Sequence, residues 1–438
     1  MTGALAQYAF VEGDTVSLLS DTDGILQCLR KGVRPCTNGG KFPPLQLLLT
    51  VPMRSMGLSP DAIGTFLSRV SIAAYLGVLA VTWRVLRARS RSVAAMAILV
   101  LASGLLIHYA TRSFGEMAAA FLTLSFAASW LEGKTIIPGA AGFLAASSKE
   151  TAFPFLILLG VVCALTRRPR GATATEVWRQ ERRRFAVSAT GIGLGVLLSI
   201  GLNFFRFGKL YNVAYLGEAG LGPPLRTQLR LFAALWLAPN AGLLFFWPLF
   251  VAAIVSVPFA VSRYSSAKQT GVFRPYWGLV SLLVLATGLC AQWWAPFGWW
   301  AWGQRLMIPW LPAVFLVIGF AYAPELEAMI SRLISTRWRA VGFTAAVAIL
   351  ALPHVCSVFR SEELIAQAFD KYLSCPPASY YDCLEAAAWR DPSPLLHAYR
   401  LLLHPFVRFR ALLYCGLLAL GGAALYRSTR APSLRTVS

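Results

Sequence analysis

Acidic residues are scarce in this chain, and far fewer than basic ones. Its 438 residues include 19 Asp and Glu against 40 Lys and Arg, with only 4 His. Charged residues of both signs make up 13% of the chain, while 57% is apolar, which excludes an ordinary soluble domain. Apolar residues do not alternate with polar ones over short segments, so a membrane β-barrel is excluded as well. The opening stretch, MTGALAQYAF, has neither the basic start nor the long apolar core of a signal peptide. No Cys/His spacing suggests a zinc site, and no internal repeat marks the two related halves of a transporter. No Asn-x-Ser/Thr sequon is present. The net charge of +21 does not point to nucleic acid, because the basic residues sit mostly in short loops between apolar runs.

Those runs are continuous and of membrane-spanning length, and they predict an all-α polytopic membrane protein. About eleven spans are expected, over 64–86, 92–109, 114–131, 135–147, 151–165, 185–205, from 241, and over 276–294, 306–322, 341–359 and 402–425. Pro239 splits the apolar stretch 229–261 into an interfacial or re-entrant helix and a span. Arginine-rich loops alternate with the others: Arg84, Arg87, Arg89 and Arg91; Arg167 to Arg184; Arg263 to Arg274; Arg332 to Arg339; and Arg427 with Arg430. These loops read as cytoplasmic, and the opposite loops hold fourteen of the nineteen acids. The expected organisation is an outer segment 1–63, a helical core 64–358, an outer loop 359–401, and a last span with a cytoplasmic tail at 402–438. The arginine- and alanine-rich composition leans towards a bacterial plasma membrane.

Four outer features could converge on one cavity. The first is the polar segment from Glu12 to Pro44, with Asp14, Asp21 and Asp23. If a helix starts ahead of Gly24, one of this pair is also a good cap and the other a solvated acid. The second is the Arg112–Glu116 turn, a polar pathway or a helix-end ion pair at spacing four. The third is Lys149-Glu150, between two tightly spaced apolar runs. The fourth is the aromatic loop with Trp293, Trp294, Trp299, Trp300 and Trp302, followed by Arg305. Interfacial tryptophans usually form a belt, but five exceed what one helix needs. Arg305, just inside a span, is costly there unless it meets an acid or an anion, and a lipid phosphate would satisfy it. Carboxylates that can act as general base, cations that can stabilise a departing phosphate and aromatic faces for sugar rings fit sugar transfer from a lipid-linked phosphate donor. A transporter or flippase of lipid-linked saccharides is the alternative, though it should place its charges mid-span.

In order along the chain stand the outer acids, Phe42-Pro43-Pro44, a span ending in arginines, Arg112-Ser113-Phe114-Gly115-Glu116, Lys149-Glu150, Arg206-Phe207-Gly208, a split span, and Trp302-Gly303-Gln304-Arg305-Leu306 with Pro309. This order resembles the multi-spanning glycosyltransferases that use polyprenyl-phosphate sugars, the GT-C superfamily with its protein mannosyltransferase-like and aminoarabinose-transferase-like members. The resemblance implies inverting transfer on the extracytoplasmic face of the plasma membrane to a lipid, glycan or protein acceptor. It implies an aspartate of the first outer loop as base, here Asp21 or Asp23, with Asp14 a poorer fit. Glu116 matches the second acidic position of such enzymes. Arg305 would face the donor phosphate, with Arg112, Lys149, Trp299 and Trp302 as further donor-binding candidates. Such enzymes usually begin with a helix before the catalytic loop. None stands here, so an upstream helix lost to a late start codon is expected.

Two cysteine pairs, Cys28 with Cys36 and Cys375 with Cys383, each lie eight residues apart in outer loops, where an oxidising compartment would favour disulfides. Cys163, Cys290, Cys356 and Cys415 lie in or beside apolar runs and read as packing residues. The sequence requires no cofactor and leaves room for a divalent cation among the acids.

Overall fold

The computed structural model describes residues 13–33, 35, 36, 40, 42–113, 115–168, 173–214, 222–265, 272–293, 295–297, 303–359, 380–390 and 393–430. Every regular element among them is helical. Five helices are long and apolar enough to cross a membrane, or six if one bent pair is counted as a span. This is a multi-pass helical membrane protein. Several other expected spans are apolar helices shorter than 18 residues, so length and apolarity do not reproduce the count of eleven.

Two helices precede the bundle: α1 (Gly13–Lys31) and α2 (Pro44–Ser55), which pack on each other. The bundle then begins with α3 (Pro60–Arg87). Ser59 caps its first turn by accepting from the Ala62 amide, and Pro60 sits where a missing N–H costs nothing. The chain returns through α4 (Arg91–Ala102) and a short α5 (Leu106–Ala110). α6 (Glu116–Leu131) and α7 (Ile137–Ser148) follow, then a single 3-10 turn at Glu150–Ala152 and α8 (Phe153–Arg167).

α9 (Ala174–Phe207) is the longest element. Thr173 and Glu176 close a reciprocal capping box at its start, and Gly208, at φ 65°, ends it in the left-handed conformation that glycine tolerates. α9 packs most closely on α7, and the sequence explains how. A Cβ on Gly191 would lie 2.0 Å from the Gly139 carbonyl oxygen, and one on Gly195 2.7 Å from that of Phe143. Small residues let the two backbones touch, the packing mode that hydrocarbon surroundings favour.

The stretch around Pro239 breaks as expected, and more widely. α10 (Leu225–Leu237) stops two residues short of the proline, because the residue before proline resists the helical region. A single turn, α11 (Leu243–Phe246), intervenes before α12 (Pro248–Tyr264). α13 (Arg274–Gln292) is followed by a 3-10 turn at Arg305–Met307 and by α14 (Leu311–Ala321). The expected span from 306 therefore starts later, at Leu311. The chain bends by 91° into α15 (Ala323–Leu333). At the bend, the Tyr322 hydroxyl donates to the Val272 carbonyl and accepts from the Tyr276 amide, both at 3.0 Å.

α16 (Arg337–Phe359), α17 (Tyr380–Arg390), α18 (Ser393–Arg400) and α19 (Pro405–Arg430) complete the described chain, with α19 packed along α16 and α4. Tertiary pairs respect the alternation of loop charge. Arg84 pairs with Glu132 at 2.9 Å, and Arg89 lies over the Phe320 ring, all at the arginine-rich end. Arg305 meets Glu116 at the opposite end. Apolar side chains left exposed on α9 and α19, such as Leu197, Phe204, Phe409 and Leu420, line the outside of the bundle, as lipid-facing residues do.

Candidate functional site

The acid-bearing end of the bundle gathers the functional candidates in two groups, joined by α2. The first group centres on Glu116, the opening residue of α6 and 4% exposed. Burying a carboxylate at the end of a span is costly unless cations meet it. Two do so. Arg305 Nε donates to Glu116 Oε1 at 2.9 Å, and Lys149 Nζ lies 3.8 Å from the same oxygen. The other oxygen, Oε2, is buried and has no hydrogen-bond partner among the described residues.

The local sequence explains how three distant segments reach this point. Glu116 follows Gly115, whose missing side chain leaves room for Gln46 of α2: a Cβ there would sit 1.8 Å from the Gln46 amide nitrogen. Lys149 ends α7 in an extended conformation, at the tip of the helix that the Gly139–Gly191 contact locks to α9. Arg305 is aimed by its neighbours. Gly303, at φ 64°, passes between Leu105 and Phe246, where a Cβ would come within 2.7 Å of each. Gln304 is fully buried and donates to the Ala241 carbonyl at 2.7 Å, using a backbone group freed by the break at Pro239. Arg305 then opens the 3-10 turn with its guanidinium towards Glu116.

The second group lies on α1. Asp21 and Asp23 are interior helical residues here, so the capping reading does not hold. Two residues apart on a helix, they point about 200° away from each other. Asp23 is clasped by Arg54 at the end of α2, with Nε to Oδ1 and Nη2 to Oδ2 both at 2.8 Å. That two-pronged hydrogen bond holds the Arg54 guanidinium above its usual range. Thr22, between the two acids, is buried and shares a 2.8 Å hydrogen bond with Thr50 of α2. Asp21 is half-buried, and its carboxylate occupies the space beside Gly40: a Cβ on Gly40 would fall 1.6–2.0 Å from its three carboxyl atoms.

The two groups touch the same support. Thr50 and Gln46 stand one turn apart on α2, and Thr50 Oγ1 donates to the Gln46 carbonyl at 3.1 Å. The first meets Thr22, beside Asp21, and the second meets Gly115, beside Glu116. Thr15 of α1 also touches Ser113, side chain to side chain.

Other candidates are placed differently. Arg112 is buried and donates to the Ser357 carbonyl of α16 at 3.4 Å. Beside it His108 Nδ1 lies 2.9 Å from Ser357 Oγ, which donates to the His354 carbonyl at 2.7 Å. Cys28 and Cys36 form a disulfide, and Cys383 is also disulfide-bonded. Cys375, Trp294, Trp299, Trp300, Trp302 and Glu12 lie outside the described residues. Among the described residues no three His, Cys, Asp or Glu side chains converge as a metal site would require.

Sequence reasoning missed Gln46, Gly40, Gln304 and Arg206. For Gln46 and Gly40 no pattern signals the contact, since it is made between remote segments. Gln304 and Arg206 stood inside quoted motifs, but only the fold gives them partners.

No family model and no curated protein matches the chain. Among solved structures, it is similar to the crystal structure of ArnT from Cupriavidus metallidurans in the apo state. The identity is 17% and the TM-score 0.44, over 97% of this chain and 72% of that one.

Proposed function

We propose that this protein is a glycosyltransferase that moves a sugar from a polyprenyl-phosphate donor to the hydroxyl of an acceptor on the extracytoplasmic side, with inversion. The observation that carries the reading is the buried Glu116 carboxylate holding Arg305 and Lys149 on one oxygen, at the same end of the bundle as Asp21. Glu116 keeps two cations side by side where they can accept the developing charge of a departing phosphate. Asp21 is the base. Its half-buried carboxylate stands beside Gly40.

In the reaction, Asp21 takes the proton of the acceptor hydroxyl as its oxygen bonds to the anomeric carbon. The bond from that carbon to the phosphate oxygen breaks on the opposite face, and its electron pair leaves with the polyprenyl phosphate. Attack and departure on opposite faces invert the anomeric centre. Arg305 supplies a planar fork of donors suited to phosphate, and Lys149 a point charge.

The test is mass spectrometry of envelope lipids and glycans from cells lacking the protein, complemented with wild type or Asp21→Asn. The expected result is loss of one sugar increment, accumulation of its lipid-phosphate donor, and rescue by wild type alone. Rescue by Asp21→Asn would refute Asp21 as base, and an unchanged glycan profile in the deletion would refute the transferase.

A further inference from the structure

The outer end of α9 carries a fully buried guanidinium, Arg206. A charge with no exposure persists only where its hydrogen bonds are well made. Arg206 Nη1 donates to the Phe42 carbonyl at 3.0 Å and Nη2 to Asn203 Oδ1 at 3.1 Å. One residue earlier, the Phe205 carbonyl accepts from the Cys36 amide at 3.3 Å. The end of α9 therefore bonds to residues 36 and 42 of the first outer segment. Between them lies Gly40, beside which the Asp21 carboxylate sits. The Cys28–Cys36 disulfide ties residue 36 to α1 itself.

Residues 36 and 42, on either side of Gly40 in the chain, are thus both bonded to the end of α9, and Cys36 is also tied to α1. A side chain at position 40 would take the volume that the carboxylate occupies. Lysine at 206 could not reproduce the fork that spans a carbonyl on one side and Asn203 on the other.

We propose that Arg206 and Gly40 are positioning residues for Asp21: Arg206 holds Phe42, two residues beyond Gly40, and Gly40 leaves the space that sets where the carboxylate stands. This rests on the reading of Asp21 as the base, and the experiment separates the two. Full-length protein is reconstituted in liposomes with the lipid donor that accumulates in cells lacking it. Turnover, donor KM and the pH profile of kcat are compared for wild type, Gly40→Ala, Arg206→Lys, Asp21→Asn and the double variant Asp21→Asn, Gly40→Ala. Membrane abundance and thermal unfolding serve as controls.

Gly40→Ala keeps the fold, because the atoms in its way are the end of one side chain. It is expected to lower kcat about 100-fold, the scale of a misplacement near 1 Å. Donor KM should stay unchanged, and the acidic limb of the kcat profile should move. Arg206→Lys should show the same split to a smaller degree. The double variant should be no slower than Asp21→Asn alone, because a carboxylate that is absent cannot be misplaced. Wild-type kcat in Gly40→Ala, or losses that add in the double variant, would overturn the positioning role while leaving Asp21 as base. Full activity in Asp21→Asn would overturn the reading beneath it.

Discussion

Two carboxylates are buried at opposite ends of this bundle, and cations surround both. Glu181, at the arginine-rich end, has no exposed side-chain surface. One of its oxygens faces Arg167 at 3.2 Å and also Arg168, and the other faces Arg184. Arg184 is engaged further: it donates to the Gly133 and Lys134 carbonyls at 2.8 and 2.7 Å and lies over the Trp130 ring. The cluster thus fastens the ends of α6, α8 and α9 together. Glu116, at the acid-bearing end, has both its cations on one oxygen, while the other has no hydrogen-bond partner among the described residues. Among the described residues three arginines face Glu181 and two cations meet Glu116, so the same ingredients make a denser staple at one end than at the other. Buried charge alone therefore does not identify a site.

Removing the carboxylate from each cluster breaks the comparison most sharply. Glu181→Ala leaves three arginines facing one another and should cost about 3 kcal/mol or more of stability, read as lost membrane abundance and a lower thermal midpoint. Glu116→Gln should spare most of that stability and lose turnover, since two cations lose their common anchor. If Glu181→Ala were stable and Glu116→Gln unfolded, the roles would be reversed. The next largest effect belongs to Asp21→Asn, which should reduce transfer about 1000-fold, within the range of general base catalysis, at unchanged abundance. Asp23→Asn should lose roughly 1 kcal/mol at most with its partly exposed ion pair and keep most activity. Equal losses in both variants would show that α1, and not a particular carboxylate, is what matters. The smallest effect is chemical: Cys28 should resist thiol labelling until reduced, and immediate labelling would contradict the disulfide.

The helical membrane class was legible in the apolar runs, and the alternation of arginine-rich loops agrees with the pairs observed, Arg84 with Glu132 at one end and Arg305 with Glu116 at the other. Arg305 carried its own signal, as a cation inside a span that needed an anion. The pairing of that arginine with Lys149 across α6 was not legible, because it depends on the Gly139–Gly191 contact that sets where α7 ends. Nor could the sequence separate Asp21 from Asp23. Spacing alone offered a cap and a solvated acid. An interior helix turns them to opposite sides, Asp23 towards Arg54, thirty-one residues away, and Asp21 towards Gly40. Helix length was the other gap: apolar runs fix where the chain avoids water, and breaks such as that before Pro239 depend on what neighbouring helices can satisfy.

The central claim is that the cations on Glu116 form an anion site, whereas other basic groups at that end are structural. The most direct test is saturation binding of radiolabelled farnesyl phosphate to the purified full-length protein in phosphatidylcholine nanodiscs. Wild type would be compared with the Lys149→Gln, Arg305→Gln double variant and with Arg54→Gln. The account predicts that the double variant binds at least about 10-fold more weakly, the scale of losing charge-assisted hydrogen bonds, and that Arg54→Gln binds as wild type does. Equal affinity in wild type and the double variant would contradict it.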